Sequence, residues 1–240
     1  MKEKILKCLR EKEDYVSGQE LCRMLDVSRT AIWKVMNQLK DEGYVIDAVK
    51  NKGYKLIQTP DIVTAEEVDS LLETEWAGHP VVYEEEQEST NQTAKMLAEQ
   101  GASHGTMVVA ERQVSGRGRR GRPWHSPKGS GIYLSVILEP QGTLEGSLLI
   151  TTAAATAVYK AVKEVCGIEL GIKWVNDLYK ENRKVCGILT EAVTDFESGN
   201  IEFAIVGIGL NLYVERELFP EELQEVAGGI YEDQQSAKKA

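Results

Sequence analysis

The sequence predicts an α+β protein of two domains, a small helical domain closed by a hairpin and a larger domain built on a mixed sheet. Helical and strand-type hydrophobic periods alternate along 240 residues, which is enough chain for a short domain and one of ordinary size. Charge is unevenly divided, since residues 1–58 hold 12 Lys and Arg against 9 Asp and Glu, whereas the whole chain has a net charge of -10. After residue 80 both hairpins and helices join the strands, which favours an α+β domain over a doubly wound one.

Composition indicates a globular protein of the cytoplasm. Hydrophobic residues make up 42% and charged residues 28% of the chain, which is typical of a soluble domain with a real core. We expect no membrane partner, because no apolar run is long enough to cross a bilayer and the charged amino terminus cannot be a signal peptide. The scattered cysteines predict reduced thiols and no local metal cluster: Cys8, Cys22, Cys166 and Cys186.

Three short helices are predicted in the first 43 residues. Apolar residues recur at helical spacing from Met1 to Lys12. Ser17 and Glu20 form a capping box that opens a second helix, and Ser28 caps a third that ends near Gly43. Four apolar residues of the third helix fall on one stripe, Ile32, Val35, Met36 and Leu39. The opposite face therefore points outward with Arg29, Thr30, Trp33, Lys34 and Asn37.

A hairpin with a basic turn follows these helices. Its two β-type runs, Tyr44–Val49 and Tyr54–Ile57, are joined by Lys50-Asn51-Lys52-Gly53. Three helices and such a hairpin form the winged helix-turn-helix pattern, in which the third helix enters the major groove of DNA. Six residues are predicted to contact bases or phosphates, Arg29, Thr30, Lys34, Asn37, Lys50 and Lys52. The alternative is a protein-contact or spacer module. Because one monomer contacts one half-site, sequence-specific binding requires a dimer.

The remainder of the chain is divided into a linker at residues 59–65, a larger domain at 66–230 and a polar tail at 231–240. Pro60 marks the linker, and the composition becomes acidic after it. Hydrophobic patterns and caps predict the elements in order: a helix at Val63–Thr74, a strand from Val81, a helix from Glu88 to Gln100, strands at Thr106–Gln113 and Gly131–Leu138, a helix at Gly146–Val165, and strands at Leu170–Trp174, Lys184–Glu191 and Ile201–Leu212.

A cationic loop, Ser115–Gly129, separates two of the predicted strands. From Arg112 to Lys128 the sequence has six Lys and Arg and no acid, within an acidic chain. Arginines offer paired donors to carboxylates and phosphates, and the interspersed glycines permit close approach, so the loop is predicted to bind a small anion as a lid. Three alternatives have less support: an AT-hook for the minor groove, a dinucleotide fingerprint at Gly116, Gly118 and Gly121, and a solvated charge run.

Polar residues also gather at the start of the predicted helix after residue 88. Ser89, Thr90 and Asn91 are either ordinary helix caps or, with the free amides of the helix terminus, a polar pocket for a ligand. Taken alone, the motif favours a cap.

Five motifs occur together in one collinear order: STNQ at 89–92, GRGRRGRPW at 116–124, KWVND at 173–177, RKVCGILTE at 183–191 and GIGLN at 207–211. In this order they resemble the biotin-protein ligases. With the winged domain, the chain is similar to the bifunctional form, in which the ligase is also the biotin operon repressor. The resemblance implies a winged helix-turn-helix followed by a mixed-sheet α+β ligase catalytic domain of the class II synthetase type.

The resemblance also implies an activity. A biotin-protein ligase uses ATP and Mg²⁺ to convert biotin to biotinyl-5′-AMP, then transfers biotin to a lysine of a biotin carboxyl carrier protein, as in acetyl-CoA carboxylase. The adenylate promotes a homodimer that binds palindromic operator DNA and represses biotin genes. The substrates suit the residues, because two anions must be brought together by fixed positive charge.

Residue roles follow from the motif matches. The resemblance assigns biotin binding to Ser89, Thr90, Asn91, Gln113, Gly116, Arg117, Arg119, Lys184, Gly187 and Ile188. It assigns ATP and adenylate binding to Arg119, Arg120, Arg122, Trp124, Asn176, Lys184 and Asn211. Catalysis is expected from Arg119 and Lys184, which would hold the carboxylate and the α-phosphate, and from Asp177, which would orient or deprotonate the incoming lysine. A structural hydrogen bond is the alternative role for Asp177.

The chain departs from the family pattern at two points. Val175 replaces the usual proline of KWPND, which restores a backbone amide and loosens φ beside Asn176 and Asp177. The family also continues into a small carboxy-terminal SH3-like barrel, which this chain is expected to lack, either in the natural protein or by truncation. Two other functions stay open, a biotinyl-adenylate-sensing DNA-binding regulator with impaired ligation and a lipoate-protein ligase.

Overall fold

The computed structural model describes residues 1–12, 14–140, 146–194 and 200–239. The chain folds as two compact units, Met1–Glu73 and Thr74–Ala240. Helices with a small hairpin make up the first unit, and a seven-stranded sheet with helices makes up the second, which confirms the predicted α+β class. None of the helices in the described ranges has the length and apolar character needed to cross a membrane.

The first unit contains the three predicted helices, the hairpin and one further helix: α1 (Lys2–Glu11), α2 (Gly18–Leu25), α3 (Arg29–Asp41), β1 (Val45–Val49), β2 (Gly53–Gln58) and α4 (Ala65–Leu71). The hydroxyls of Ser17 and Ser28 cap α2 and α3 by accepting from amides three residues on, at 3.1 and 3.2 Å. The Glu20 carboxylate of the predicted capping box instead binds the Lys12 ammonium. The predicted stripe of α3 is buried in the core of this unit.

Helix α4 packs against α1 through a part-buried ion pair. Arg10 Nη2 donates to both carboxylate oxygens of Glu67, at 2.7 and 2.6 Å, and Arg10 Nη1 also donates to Ser70. The unit boundary accordingly falls after α4, whereas the sequence placed the linker at residues 59–65. The difference has a physical cause, because an ion pair between distant parts of the chain leaves no local pattern in the sequence.

The second unit is built on a mixed sheet with the strand order β3-β4-β5-β9-β8-β7-β6. Only β3 and β4 pair in parallel among the described strands, and the other neighbours are antiparallel. The strands are β3 (Val81–Gln87), β4 (Met107–Gln113), β5 (Gly131–Leu138), β6 (Gly171–Lys173), β7 (Asp177–Lys180), β8 (Arg183–Thr194) and β9 (Ile201–Asn211). The helices are α5 (Thr90–Glu99), α6 (Gly146–Cys166), α7 (Glu221–Gln224) and α8 (Gln234–Lys239).

Strand β7 and helix α8 were not predicted. Asp177 therefore begins a strand, where the sequence had placed it at the polar end of one. The run Asp177–Lys180 is too short and too polar to show a strand period, and its pairing partner β8 supplies the missing information. Helix α8 lies in the segment predicted as a polar tail.

Central strand β9 divides the core between the two faces of the sheet. Phe203 and Ile205 pack with Ala94 of α5 on one face, and Val206 and Leu210 pack in a cluster with residues of α6 on the other. Successive side chains of a strand point to opposite faces, so Gly207, Gly209 and Asn211 continue the α5 face. Leu149 and Val165 of helix α6 are exposed.

Candidate functional site

Glycines of the neighbouring strands β8 and β9 leave an open floor on the α5 face of the sheet. Gly207 of β9 pairs with Ser135 of β5, and Gly209 pairs with Gly187 of β8. A side chain at Gly207 would collide with Asn91, and one at Gly209 would collide with the Trp124 indole. These glycines are therefore required for other side chains to reach the floor of the sheet.

Polar side chains at the start of α5 form one wall of a small inner cavity of about 40 Å³. The Thr90 amide donates to Gln113 Oε1 at 2.8 Å, and Gln113 Nε2 donates to Ser126 Oγ at 2.9 Å. Ser89, Thr90 and Asn91 are buried, and the Ser89 side chain does not cap the helix. The three residues thus line a cavity instead of serving as the ordinary caps that the motif alone favoured. Two partners in this wall were not predicted: Ser126, which binds Gln113, and Ser135, which binds Thr90 and Asn91.

Trp124 separates the inner cavity from a larger outer one and contributes to the lining of both. Its indole lies over Gly209, and a Cβ at Gly187 would be 2.8 Å from its Cζ3. Its Nε1 is buried and has no hydrogen-bond partner within the described part of the chain. An unpaired buried N–H costs free energy, so this group is available to a ligand oxygen.

The Lys184 ammonium lies at the same boundary. It is 2.7 Å from Asp177 Oδ1 and 5.4 Å from the centre of the Trp124 ring. Asn176 Nδ2 donates to the same carboxylate oxygen at 2.8 Å and to the Ile188 carbonyl at 3.2 Å. The hairpin of β7 and β8 therefore presents a cation, a carboxylate and an amide as one rigid group. Burial raises the pKa of the adjacent Cys186 thiol to about 12, so that group is neutral at physiological pH.

The outer cavity has a volume of about 510 Å³, which is within the usual range for small-molecule sites. Its walls combine the arginine loop with the hairpin of β6 and β7, and Phe219 and Leu223 supply apolar surface. Asn211 is buried at its edge and donates to the Gly228 carbonyl at 3.2 Å. Phe219 and Leu223 have no role in the sequence prediction, since they lie in a loop and a short helix without a recognisable motif.

The arginines of the loop have different surroundings. Arg119 Nη1 donates to Asn176 Oδ1 at 2.9 Å, and Arg117 Nη2 donates to Gln92 Oε1 at 3.3 Å. Arg120 and Arg122 are exposed and line the outer cavity. Within the described residues, none of these four guanidinium groups has a carboxylate partner at ion-pair distance, and their charge is thus available for an anion.

The two ends of the cationic run differ from its centre. Arg112 donates to Glu86 at 2.7 Å, and Lys128 is paired with Glu85, so acids of β3 neutralise both ends. Tyr133 fixes the end of the loop by donating its hydroxyl to the Pro127 carbonyl at 3.1 Å, and burial raises the pKa of this phenol to about 12. The cationic region is therefore narrower than the sequence suggested.

Three of the six predicted DNA-contact residues line one groove of the first unit. Arg29, Lys50 and Lys52 line one open groove between the start of α3 and the hairpin turn. Thr30 and Lys34 are exposed on α3, and Asn37 is half-buried. Lys52 lies 5.2 Å from the centre of the Tyr15 ring, which orients the turn. The groove has the helix and wing arrangement that contacts DNA in winged domains.

Two family models match the chain. The biotin/lipoate A/B protein ligase family matches residues 83–211, and a helix-turn-helix (HTH) domain matches residues 2–55. The chain belongs to the biotin/lipoate A/B protein ligase family. The family match spans the inner cavity, the arginine loop and Lys184, and the fold and family predicted from the motifs are confirmed.

Two relatives of the chain have names that give them two functions. The chain is 40% identical over 217 residues to the bifunctional ligase/repressor BirA of Bacillus subtilis, covering 90% of this chain and 66% of the relative. It is 31% identical over 205 residues to that of Escherichia coli, covering 85% and 61%. The chain therefore spans less than two thirds of the length of each.

Solved structures of family members carry ligands. A biotin protein ligase from Aquifex aeolicus in complex with biotin and ATP is 32% identical, with a TM-score of 0.52 over 66% of this chain and 65% of that chain. One from Leishmania major in complex with biotinyl-5-AMP is 26% identical, with a TM-score of 0.51 over 66% and 65%. Family members of this fold thus bind biotin, ATP and the adenylate of biotin.

Proposed function

We propose that the chain is an ATP-dependent biotin-protein ligase that also acts as a biotin-responsive repressor. One observation carries the enzymatic proposal: Arg119 and Lys184 lie where a small polar cavity meets a nucleotide-sized one. A ligand carboxylate from the inner cavity and an ATP phosphate from the outer cavity meet between these cations. Fixed positive charge at such a junction lowers the repulsion between two anions and stabilises the charge that develops during their reaction.

Biotin occupies the inner cavity in this proposal. Its ureido ring contacts Ser89, Thr90, Asn91 and Gln113, and Gly116, Gly187 and Ile188 enclose the bicycle. The inner cavity is only about 40 Å³ in the present conformation, so ligand entry displaces a side chain. Trp124 lines both cavities, and we assign it the movement that admits biotin and then covers the adenylate.

ATP enters the outer cavity as its Mg²⁺ complex. Arg120, Arg122, Asn176 and Asn211 line this cavity. The two arginines are proposed to contact the phosphates, and the two asparagines the adenosine portion. The described residues contain no group of three or more His, Cys, Asp or Glu that could hold a metal ion. The proposal therefore treats the Mg²⁺ ion as part of the substrate.

Two displacement steps follow. A biotin carboxylate oxygen bonds to the α-phosphorus of ATP, the bond to the β-phosphate oxygen breaks, and pyrophosphate leaves. A lysine amine of a carrier domain then bonds to the biotinyl carbonyl, AMP leaves, and the amine loses a proton. Asp177 is proposed to accept or orient that proton after its partner Lys184 has moved to the adenylate phosphate.

The test supplies ATP, Mg²⁺, labelled biotin and a biotin carboxyl carrier domain, and separates the products by mass. We expect biotinyl-5′-AMP first and labelled carrier second. Adenylate without labelled carrier supports the regulator with impaired ligation, and the absence of both contradicts the enzymatic proposal. Competition by lipoate, measured by calorimetry, distinguishes a lipoate-protein ligase, for which the polar inner wall offers no matching partner.

The first unit is proposed to bind operator DNA as a homodimer that biotinyl-5′-AMP promotes. The helix-turn-helix match and the exposed cations around one groove support this second activity. Sedimentation with and without the adenylate measures the dimer, and selection of bound duplexes from a random pool identifies the site. A palindromic consensus is the expected result. The protein is proposed to act in the cytoplasm, where carrier and operator are both present.

A further inference from the structure

A row of hydrogen-bonded side chains leads from the inner cavity to a carboxylate behind it. Ser135 Oγ is 2.8 Å from Thr90 Oγ1 and 2.6 Å from Asn91 Oδ1. Asn91 Nδ2 is 2.7 Å from Glu191 Oε2. Thr90 and Asn91 both line the inner cavity, whereas neither Ser135 nor Glu191 does.

The Glu191 carboxylate determines which atom donates each hydrogen bond in this row. Carboxylate oxygens only accept hydrogen bonds, so the Asn91 amide must turn its nitrogen toward Glu191. The Leu189 carbonyl, 3.5 Å from the same nitrogen, is a second acceptor on that side. Asn91 Oδ1 consequently faces Ser135, and because this oxygen carries no proton, Ser135 must donate its single hydroxyl proton to it.

The number of available protons also determines which contact the Thr90 hydroxyl donates to. Three oxygen–oxygen contacts join Thr90 to Gln113, Thr90 to Ser135 and Ser135 to Asn91, at 3.1, 2.8 and 2.6 Å, but the two hydroxyls supply only two protons. Bonds between a hydroxyl and an oxygen are usually about 2.7 to 2.8 Å, so the longest contact is the one without a proton. Gln113 Oε1 also accepts from the Thr90 amide, so it keeps a donor without the hydroxyl proton.

We propose that Glu191 is a positioning residue that, through Asn91 and Ser135, commits the Thr90 hydroxyl proton and leaves Thr90 Oγ1 as an acceptor toward the inner cavity. The wall at this point therefore selects a ligand that offers an N–H donor. Thr90, Asn91 and Ser135 are buried, and hydrogen bonds in a row polarise one another most strongly away from water. Strand geometry assists the row, because Gly207 leaves the space that Asn91 occupies.

This inference rests on the proposed function and explains how the inner cavity distinguishes biotin from lipoate. The head of biotin is a cyclic urea with two N–H donors, whereas the dithiolane head of lipoate has none. A committed acceptor at Thr90 is satisfied by the first and left unpaired by the second, and an unpaired buried polar group weakens binding. Glu191 thus contributes to substrate specificity without contacting the substrate.

The experiment compares biotin with its two lactam analogues, in each of which CH₂ replaces one ring N–H without adding bulk. Dissociation constants are measured by calorimetry for the wild type, Glu191→Gln and Ser135→Ala. The amide that Glu191→Gln introduces can face Asn91 with either its oxygen or its nitrogen, and Ser135→Ala interrupts the row. Glu202→Gln is the matched control, because Glu202 is an exposed carboxylate on β9. Circular dichroism checks that each variant is folded.

In the wild type we expect one lactam to bind about tenfold or more weakly than biotin. We expect that ratio to fall to about threefold or less in Glu191→Gln and Ser135→Ala, and to persist in Glu202→Gln. An unchanged ratio in both variants, an equal loss of both ligands, or no penalty in the wild type overturns the inference. A wild type that does not bind biotin contradicts the proposed function itself, whereas biotin binding with an unchanged ratio overturns the Glu191 role alone.

Discussion

Lys184 Nζ lies 2.7 Å from Asp177 Oδ1, so the cation assigned to the substrate anions already has a carboxylate partner. The pair is part-buried, and each group keeps the other in place on the β7–β8 hairpin. An incoming anion must compete with Asp177 for the ammonium group. In the proposed mechanism the same competition releases the carboxylate, and Asp177 becomes available to the amine when the phosphate arrives.

This pair leads to a prediction that separates the two chemical steps. Lys184→Gln is expected to lower the rate of adenylate formation about 10²-fold or more, because a fixed positive charge is lost. Asp177→Asn is expected to slow transfer to the carrier lysine about 10²-fold while affecting adenylate formation less. Single-turnover kinetics with labelled ATP, followed by addition of carrier, measure both rates.

Lys180→Gln is the control for that experiment, since Lys180 is on the same hairpin but donates to the Ile230 carbonyl at 3.0 Å. It should leave both rates unchanged. Normal transfer by Asp177→Asn would contradict the role given to Asp177 and leave that residue a structural partner of Lys184.

Arg119 is predicted to retain the adenylate. Arg119→Ala should weaken retention of biotinyl-5′-AMP by about 1.5 to 3 kcal/mol, because it removes a charge-assisted contact and the partner of Asn176. The dissociation rate of the adenylate, measured by chase with unlabelled ligand, gives this value. Arg112→Ala is matched to it, since Arg112 precedes the same loop but is paired with Glu86. Equal rates in the two variants would show that the loop assignment is wrong.

Gly209 is predicted to be required for the position of Trp124. Gly209→Ala places a methyl group against the indole, and we expect a loss of about 1 to 3 kcal/mol in the free energy of unfolding together with weaker adenylate binding. Urea unfolding and calorimetry measure the two effects. In Gly171→Ala the added methyl meets only the Tyr179 carbonyl at 3.8 Å, so this variant should resemble the wild type. If Gly209→Ala does so as well, Trp124 is not held against β9.

The winged unit is predicted to contact phosphates through exposed lysines. Lys34→Gln and Lys50→Gln should each reduce the slope of log K against log salt by about one for a DNA duplex, because each removes one phosphate contact. Fluorescence anisotropy at several salt concentrations gives the slope. Lys40 is exposed at the far end of α3, and Lys40→Gln should not change it. Slopes that stay at the wild-type value would remove these lysines from the interface.

The ion pair between Arg10 and Glu67 predicts where the first unit can be cut. A fragment of residues 1–73 should unfold cooperatively in urea, and a fragment of residues 1–58 should be less stable by about 3 kcal/mol or more, since it leaves Arg10 without its partner. Glu67→Gln in the longer fragment should reproduce part of this loss. Equal stability of the two fragments would place the boundary at residue 58, where the sequence suggested it.

Local sequence patterns were sufficient to predict most helices and strands. The predicted and observed elements agree at Gly131–Leu138 and along α3. The patterns failed where the determining contact is distant in the chain. Ser135 looks like an isolated polar residue in an apolar strand, and its meaning depends on α5 packing over β5. Glu191 is part of a recognised motif, yet its function depends on Asn91, one hundred residues earlier. Acids that neutralise Arg112 and Lys128 likewise come from another strand.

Strand order has a consequence for how the protein is made. Strand β9 is the last of the described strands along the chain but lies between β5 and β8 in the sheet. During synthesis, β5 and β8 each keep an unpaired edge until residues 201–211 leave the ribosome. Exposed edges of this kind favour association between nascent chains. The glycines of β9 therefore lie on the strand that completes the sheet, so we expect the candidate site to form only after this pairing.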